Sequence, residues 1–223
     1  MSVMRAFPAG SAFTYWWSPS LRVMREWHRD RIAARFADPR TQQFKVVERS
    51  TARIVAFAKW DPPRRMKGLR HGFTTYAGDG TPRVVGEEEG EGGAQPQTLL
   101  EPPEGADETL YHEFFAGLRS MGDKWRIGEK LVLSIICTDP AYHGRGIASA
   151  LIQSVLSVAD GEDIPAYLEA LPLAAPLYRR LGFVGVDRLE YDLTRAGKQG
   201  AAVLTIMVRE PGSAAVPATV AAV

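Results

Sequence analysis

The residues best suited to chemistry in this 223-residue sequence fall in one run, His143-Gly144-Arg145-Gly146-Ile147-Ala148-Ser149. An unbroken apolar stretch, Leu131–Thr138, leads into it through Asp139–Tyr142, and a helical pattern follows from Gly146 to Asp160. Read as strand, turn and helix, the run places backbone N–H groups at a helix N-terminus with little side-chain cover. Such a terminus carries about half a positive elementary charge and leaves its first amides without intrahelical partners. A diphosphate suits that concavity, and Arg145 adds a full charge beside it. A tight strand-to-helix turn with no ligand explains the same glycines, and the loop alone does not separate the two.

Other reactive residue types are sparse. Cys137 is the sole cysteine, which rules out an intramolecular disulfide framework and a cysteine-based zinc cluster. It closes the run Ile135-Ile136-Cys137, a setting for a buried inert thiol rather than the nucleophile of a Cys-His-Asp set. His28, His71, His112 and His143 never fall at metal-ligand spacing, so no metal is expected. The formal net charge of +1 gives no electrostatic case for nucleic acid or an anionic membrane. No apolar run approaches the roughly 20 residues of a membrane helix. Ala6–Trp17 is apolar, but Pro8 and Gly10 interrupt it and only Arg5 precedes it, so it does not read as a signal sequence. A reduced, cytoplasmic compartment is expected.

The elements that must position the glycine loop follow from periodicity. Ser18-Pro19 reads as N-cap and first helical residue, with Leu21, Met24, Trp27, Ile32 and Phe36 on one face and Asp38-Pro39 as the stop. Two strands, Phe44–Glu48 and Ile54–Trp60, form a hairpin. From Asp61 to about Asp107, proline, glycine and the acidic run Glu87–Glu91 predict a long insertion, mobile in part, that folds little apolar surface. A helix over Asp107–Met121 comes next, and then the strand Leu131–Thr138, whose unbroken apolar character fits a central position covered on both faces. A strand at Ala166–Ala170, a helix at Leu173–Leu181 and strands at Phe183–Leu193 and Ala201–Arg209 complete the order. Glu210–Val223 shows no pattern and reads as a disordered tail. Strands interleaved with helices give an α/β or α+β domain around one sheet.

The segment 143–148 resembles the acyl-CoA loop of the GNAT superfamily, Gln/Arg-x-x-Gly-x-Gly/Ala, here His143-x-x-Gly146-x-Ala148. About 30 residues on, Leu177-Tyr178-Arg179-Arg180-Leu181-Gly182-Phe183 resembles the family's L-Y-x-x-x-G-F block. Tyr167-Leu168-Glu169-Ala170 and Ile54–Trp60 are similar to strands of a fungal-type subgroup. The resemblance covers roughly Ser18–Arg209 and is weakest through the insertion. His143 departs from the family's Gln or Arg, which a loop acting through backbone amides should tolerate. Only Met1–Trp17 precedes the first helix, too short for the strand and helix with which GNAT domains begin.

The resemblance implies a mixed, mostly antiparallel sheet flanked by helices and splayed at an acyl-CoA site. It implies that Ile136, Cys137 and Thr138 pair with the pantetheine arm and that His143, Gly144, Arg145, Gly146, Ile147, Ala148 and Ser149 hold the diphosphate. Tyr178 is then the general acid toward the leaving thiolate. The family's base glutamate on the central strand has no counterpart, because Leu131–Thr138 carries no acid, and Glu169 is the substitute candidate. Trp16, Trp17 and Trp60 approach from the acceptor side, where core packing is the competing explanation for each. The expected activity is direct transfer of an acetyl group from acetyl-CoA to a small-molecule primary amine, by a monomer or homodimer. A non-catalytic acyl-CoA-binding module is the alternative, favoured by the missing base and opposed by Tyr178.

Overall fold

A computed structural model of the chain describes residues 14–36, 41–69, 74–76, 82–84 and 101–213. The first helix, α1 (Leu21–Phe36), begins after Ser20, whose Oγ accepts from Val23 N at 3.4 Å. The cap is therefore Ser20 and not the expected Ser18, whose own Oγ accepts from Ser20 N. The hairpin β1 (Gln42–Glu48) and β2 (Arg53–Asp61) pairs antiparallel as expected. Within the predicted insertion, β3 (Thr74–Tyr76) and β4 (Pro82–Val84) pair with each other. Helix α2 (Glu108–Lys124) is capped by Asp107, which accepts from Leu110 N at 3.0 Å. Then follow β5 (Leu131–Thr138), α3 (Ile147–Gly161), β6 (Ala166–Ala170), α4 (Ala175–Arg180), β7 (Val184–Asp192) and β8 (Ala201–Arg209).

Six of these strands form one sheet in the order β1-β2-β5-β6-β8-β7. Only β5 and β6 run parallel, joined through the crossover helix α3 as a parallel pair requires. The fold is the mixed, mostly antiparallel sheet with flanking helices that the motifs implied. On one face α3 and α4 pack over Ala58, Leu131, Leu133, Ala166, Leu168 and Met207. On the other, α1, α2 and residues 15–16 bury an aromatic cluster of Tyr15, Trp16, Trp27, Tyr111 and Phe115 against Tyr191 and Leu204.

Both ends of the predicted insertion are built into the body. Met66 and Leu69 are fully buried in the α3-side core, and Glu162 accepts the amides of Lys67 and Gly68. At the far end, Trp27 Nε1 donates to Glu101 O at 2.9 Å and Asp107 N donates to Trp16 O. Most of 70–100, for which mobility is the expectation, lies outside the described residues. The tail likewise starts as structure. Arg209, nearly buried, forms a forked pair with Asp160 and donates to Ser213 O, while Gly212 N donates to Asp160. The expected tail boundary at Glu210 therefore moves to the end of this turn, and 214–223 lie outside the described residues. Residues 1–13 do too, so the N-terminal strand question falls there.

Trp60 is a correction. Proposed for the acceptor pocket, it is wholly buried on the α3 face of β2, opposite Leu133 and in the same core as Met66. Its neighbour Lys59 takes the opposite face and pairs with Asp61. Trp60→Ala should therefore lower stability by about 3–5 kcal/mol as a cavity in the core. Thermal or denaturant unfolding checks this, and an unchanged melting temperature would mean that Trp60 is not a core residue.

Candidate active site

The site is made by the way β5 leaves its neighbour. Ladder pairing between β5 and β6 is confined to Leu131 with Ala166 and Val132 with Tyr167. Beyond that point β5 stays on β2 as far as Thr138, so its opposite edge, from Leu133 onward, is free of strand pairing. A bulge marks the divergence. Lys59 faces Ile135 and Trp60 faces Leu133, which leaves Ser134 as the extra residue on β5. An extra residue bends the strand and increases its twist.

A cavity of about 1340 Å³ fills the resulting wedge and passes from one face of the sheet to the other. Leu133–Thr138 form one wall, Leu168 and Glu169 the other, and residues 142–149 with Pro172–Ala174, Leu177 and Tyr178 close the α3 side. Trp16, Trp17, His28, Arg31, Phe114, Phe115 and Leu118 line the opposite side. The structure thus brings every candidate except Trp60 to one cavity.

The loop after β5 is held from behind. Asp139 N donates to Val55 O, and the Asp139 carboxylate accepts from Ala141 N at 3.1 Å. His143 Nε2 lies 3.0 Å from Thr138 O, so its ring braces the turn. Gly144 and Gly146 both adopt φ near +73°, a left-handed conformation that glycine reaches without strain. A Cβ at either position would meet nothing within 4 Å, so the backbone there is bare. The first bond of α3 runs from Ala150 N to Gly146 O, which leaves the amides of Ile147, Ala148 and Ser149 outside the helical ladder. Arg145 turns back over the Tyr142 ring, 4.7 Å from its centroid, and donates to Ala141 O. The anion site is therefore a matter of backbone amides, with Arg145 at its rim.

Two titratable groups on the cavity are displaced in useful directions. Glu169 projects from β6, and burial first of all, with Asp61 adding repulsion, raises its carboxyl to about 7. The Tyr167 hydroxyl lies near enough to favour its charged form but meets no full hydrogen-bond geometry. Tyr178 sits on α4 with its ring edge-on to Phe183, 6.0 Å between centroids. Burial pushes its hydroxyl up to about 12, and that hydroxyl makes no hydrogen bond among the described residues. Gly182, at φ +88°, ends α4 in a left-handed cap, with Phe183 N donating to Tyr178 O.

Cys137 also lines the cavity, and burial raises its thiol to about 12. Among the described residues no histidine activates it, since His143 is spent on Thr138. His28, which the sequence offers no reason to single out, is wedged between the rings of Trp17 and Trp27 at 5.1 and 5.0 Å. Burial and then the charge of Arg31 lower it to about 4, so it is a neutral part of the wall. Among the described residues no group of three or more His, Cys, Asp or Glu is placed to hold a metal ion. No helix among them is long and apolar enough to cross a membrane.

Comparisons with known proteins address the same features. Residues 113–185 match the family described as Acetyltransferase (GNAT) domain. Among solved structures, the chain resembles the histone acetyltransferase HPA2 and related acetyltransferase from Corynebacterium glutamicum at 21% identity and TM-score 0.54, over 96% of this chain and 90% of that one. It also matches the ribosomal-protein-S18-alanine N-acetyltransferase from Escherichia coli at 16% identity and TM-score 0.42, over 82% and 76%. The fold likeness rests on the first alone. A search of curated proteins gave no match. Nothing in these matches distinguishes a fungal-type subgroup. The stretch from the middle of α2 to the start of β7 thus matches the GNAT acetyltransferase domain, and the fold that contains it is GNAT-like.

Proposed function

We propose that the chain transfers an acetyl group from acetyl-CoA to a primary amine of a small molecule, with both substrates bound together. The observation that carries this reading is that one cavity combines a free strand edge, a bare helix N-terminus and two groups whose proton affinities burial raises, one to neutrality and one well above it. The unpaired edge of β5, including Ile136, Cys137 and Thr138, offers backbone partners to an amide-bearing arm. The amides from Gly144 to Ser149 suit the diphosphate at the end of that arm. The acyl thioester then lies in the wedge between Glu169 and Tyr178.

Carboxylate and phenol divide the proton work. A carboxyl at about 7 is ionised half the time near neutrality and can take a proton from the amine. A phenol at about 12 stays protonated and can supply the leaving thiolate. The nitrogen bonds to the thioester carbon, the carbon–sulfur bond breaks, and sulfur takes its proton from Tyr178. Starting from an ammonium, nitrogen loses two protons and the thiol keeps one, so one is released to water. The inert Cys137 and the absence of a paired nucleophile among the described residues support direct attack without an acyl-enzyme.

The acceptor side is largely apolar, with Arg31 and the neutral His28 as its polar members. Trp17, Phe114, Phe115 and Leu118 line it, and Glu169 is the one acid among the described lining residues. A hydrophobic amine with a single ammonium fits this wall, and a polyamine would have no carboxylate for its second charge. The placement in a fungal-type subgroup remains a finer reading that rests on Ile54–Trp60 and Tyr167–Ala170.

Thiol release from acetyl-CoA over a panel of arylalkylamines, amino-acid derivatives and polyamines tests the proposal. Turnover with no amine in the panel, alongside tight acetyl-CoA binding, would favour the non-catalytic binding module instead. With a weakly basic acceptor that is neutral throughout, kcat should rise with pH through a limb near 7 as Glu169 ionises, and Glu169→Gln should remove that limb. A limb that survives the substitution would belong to another group. Trp17→Ala should raise the acceptor KM roughly 10- to 100-fold with acetyl-CoA affinity unchanged, from lost apolar contact on one substrate. Parallel loss of both affinities would place Trp17 in the core instead.

A further inference from the structure

The bulge that opens the wedge carries a side chain that the transfer chemistry above leaves unused. Ser134, the residue without a partner on β2, lines the cavity and donates its hydroxyl proton to Asp61 Oδ2. Asp61 takes its other contact from Lys59 Nζ, on a lysine only 1% exposed. A fully buried lysine and a carboxylate must be paired to be tolerated at all, so this arrangement fixes Asp61 firmly in place. A serine hydroxyl has one proton and an oxygen that can accept as well. With that proton committed to a carboxylate, the oxygen turned to the cavity is an acceptor only, and it selects a ligand that brings an N–H or O–H.

Ser134 and Glu169 face each other across the wedge. The last paired register is Val132 with Tyr167, and two residues further along each parallel strand lie Ser134 and Glu169. Both line the cavity, one on each wall. Asp61 is also near enough to raise the proton affinity of Glu169. A neutral primary amine has two N–H groups and one lone pair, so two acceptors on opposite walls determine where the lone pair points.

We infer that Ser134, held by Asp61, accepts one N–H of the attacking amine while Glu169 accepts the other, which aims the nitrogen lone pair at the thioester carbon. This rests on the transfer reading above. Ser134 touches the substrate, and Asp61 acts through it as a positioning residue. The amine proton still leaves to Glu169, because the Ser134 oxygen holds the N–H without removing its proton.

The test uses the full chain with a primary amine acceptor and its N-methyl derivative, which has one N–H fewer. Ser134→Ala should lower kcat for the primary amine roughly 10- to 100-fold, the scale of one hydrogen bond to a charge-assisted acceptor. Acetyl-CoA affinity should hold, and the melting temperature should fall by no more than a few degrees for the lost contact with Asp61. Ser134→Thr, which keeps the hydroxyl, should recover most of the rate. The decisive reading is the penalty for N-methylation, which should be large in the wild type and shrink in Ser134→Ala, since the variant no longer uses the second N–H. Asp61→Asn should reproduce the Ser134→Ala pattern in kcat if it folds. Wild-type turnover that Ser134→Ala leaves intact, or an unchanged N-methyl penalty, would overturn the inference and leave the transfer reading standing. No wild-type turnover with any amine would overturn both.

Discussion

Gly146→Asp is expected to abolish acetyl-CoA binding while the protein still folds. Position 146 is the N-cap of α3 at φ +73°, and a Cβ there points into open space. The new side chain therefore meets no clash. Its cost is the left-handed conformation, on the order of 1 kcal/mol, and aspartate is among the residues that tolerate that region best. Aspartate is also a favoured N-cap, so its carboxylate can accept the free amides of α3 and offset part of the strain. Those are the same amides that a diphosphate needs. The substitution thus fills the anion site with the protein's own anion and sets it against the ligand's charge. Wild-type protein at 100 times Kd of acetyl-CoA should gain about 2.7 kcal/mol, worth several degrees of melting temperature in a chain of this size. The variant should show no such shift and more than a 100-fold loss in Kd by calorimetry. Gly146→Ala carries the strain without the charge and should lose much less. Normal binding in Gly146→Asp would mean that the cofactor's phosphates lie elsewhere.

What could be read from the sequence about this site was its local part. The strand Leu131–Thr138 appears with its predicted bounds, because an uninterrupted apolar run between turn residues has few other solutions. The bare helix start at Gly146 and the helix end at Gly182 were legible for the same reason, since a glycine at a helix boundary usually marks a backbone need. The wedge itself was not legible. The bulge at Ser134 is a property of the register between β2 and β5, and the splay is a property of how far β6 follows β5. Neither leaves a mark on any one strand's composition.

Trp60 and Lys59 show the limit most clearly. Adjacent residues on a strand take opposite faces, and on β2 both faces are covered. The sequence offers Trp60 for a pocket and says nothing of Lys59. In the fold, Trp60 joins the α3-side core and Lys59 is buried against Asp61 on the other face. Charge satisfaction, supplied by a residue two positions along and by Ser134 on the next strand, made the lysine tolerable. Sequence periodicity cannot weigh that pairing. The same holds for Met66, Leu69 and the turn at 210–213, whose burial or fastening comes from distant partners such as Glu162 and Asp160. Composition alone assigned them to a loop and a tail.

Tyr178→Phe should lower kcat by roughly 10²-fold or more and leave acetyl-CoA affinity within about threefold. The substitution removes one oxygen and keeps the ring, so the contact with Phe183 and the packing of α4 survive. Burial alone shifts that hydroxyl, with no hydrogen-bond partner among the described residues, so its loss strands no buried group in the protein. A change in melting temperature of more than a few degrees is not expected. The chemical question is whether a phenol at about 12 can protonate a thiolate whose free thiol titrates at about 8.5 in water. Between the buried phenol and a thiolate still in water that transfer is uphill by about 5 kcal/mol. The cavity narrows the difference, and Cys137 shows the direction. Its thiol lines the same cavity and burial raises it to about 12. A coenzyme thiolate expelled into that environment is destabilised for the same reason, because burial penalises the charged form of thiol and phenol alike. Donor and acceptor are then more nearly matched, the direction that favours general acid catalysis. Phenylalanine leaves the thiolate to depart unprotonated in a medium that disfavours its charge, so the penalty should fall on kcat and not on binding. Two measurements decide the matter, kcat under saturation and acetyl-CoA affinity by calorimetry. An unchanged kcat would remove Tyr178 from the proton transfer. Rescue of the variant by acceptor-independent thioesters with a more acidic leaving thiol, which needs no proton to depart, would confirm the role assigned to the hydroxyl.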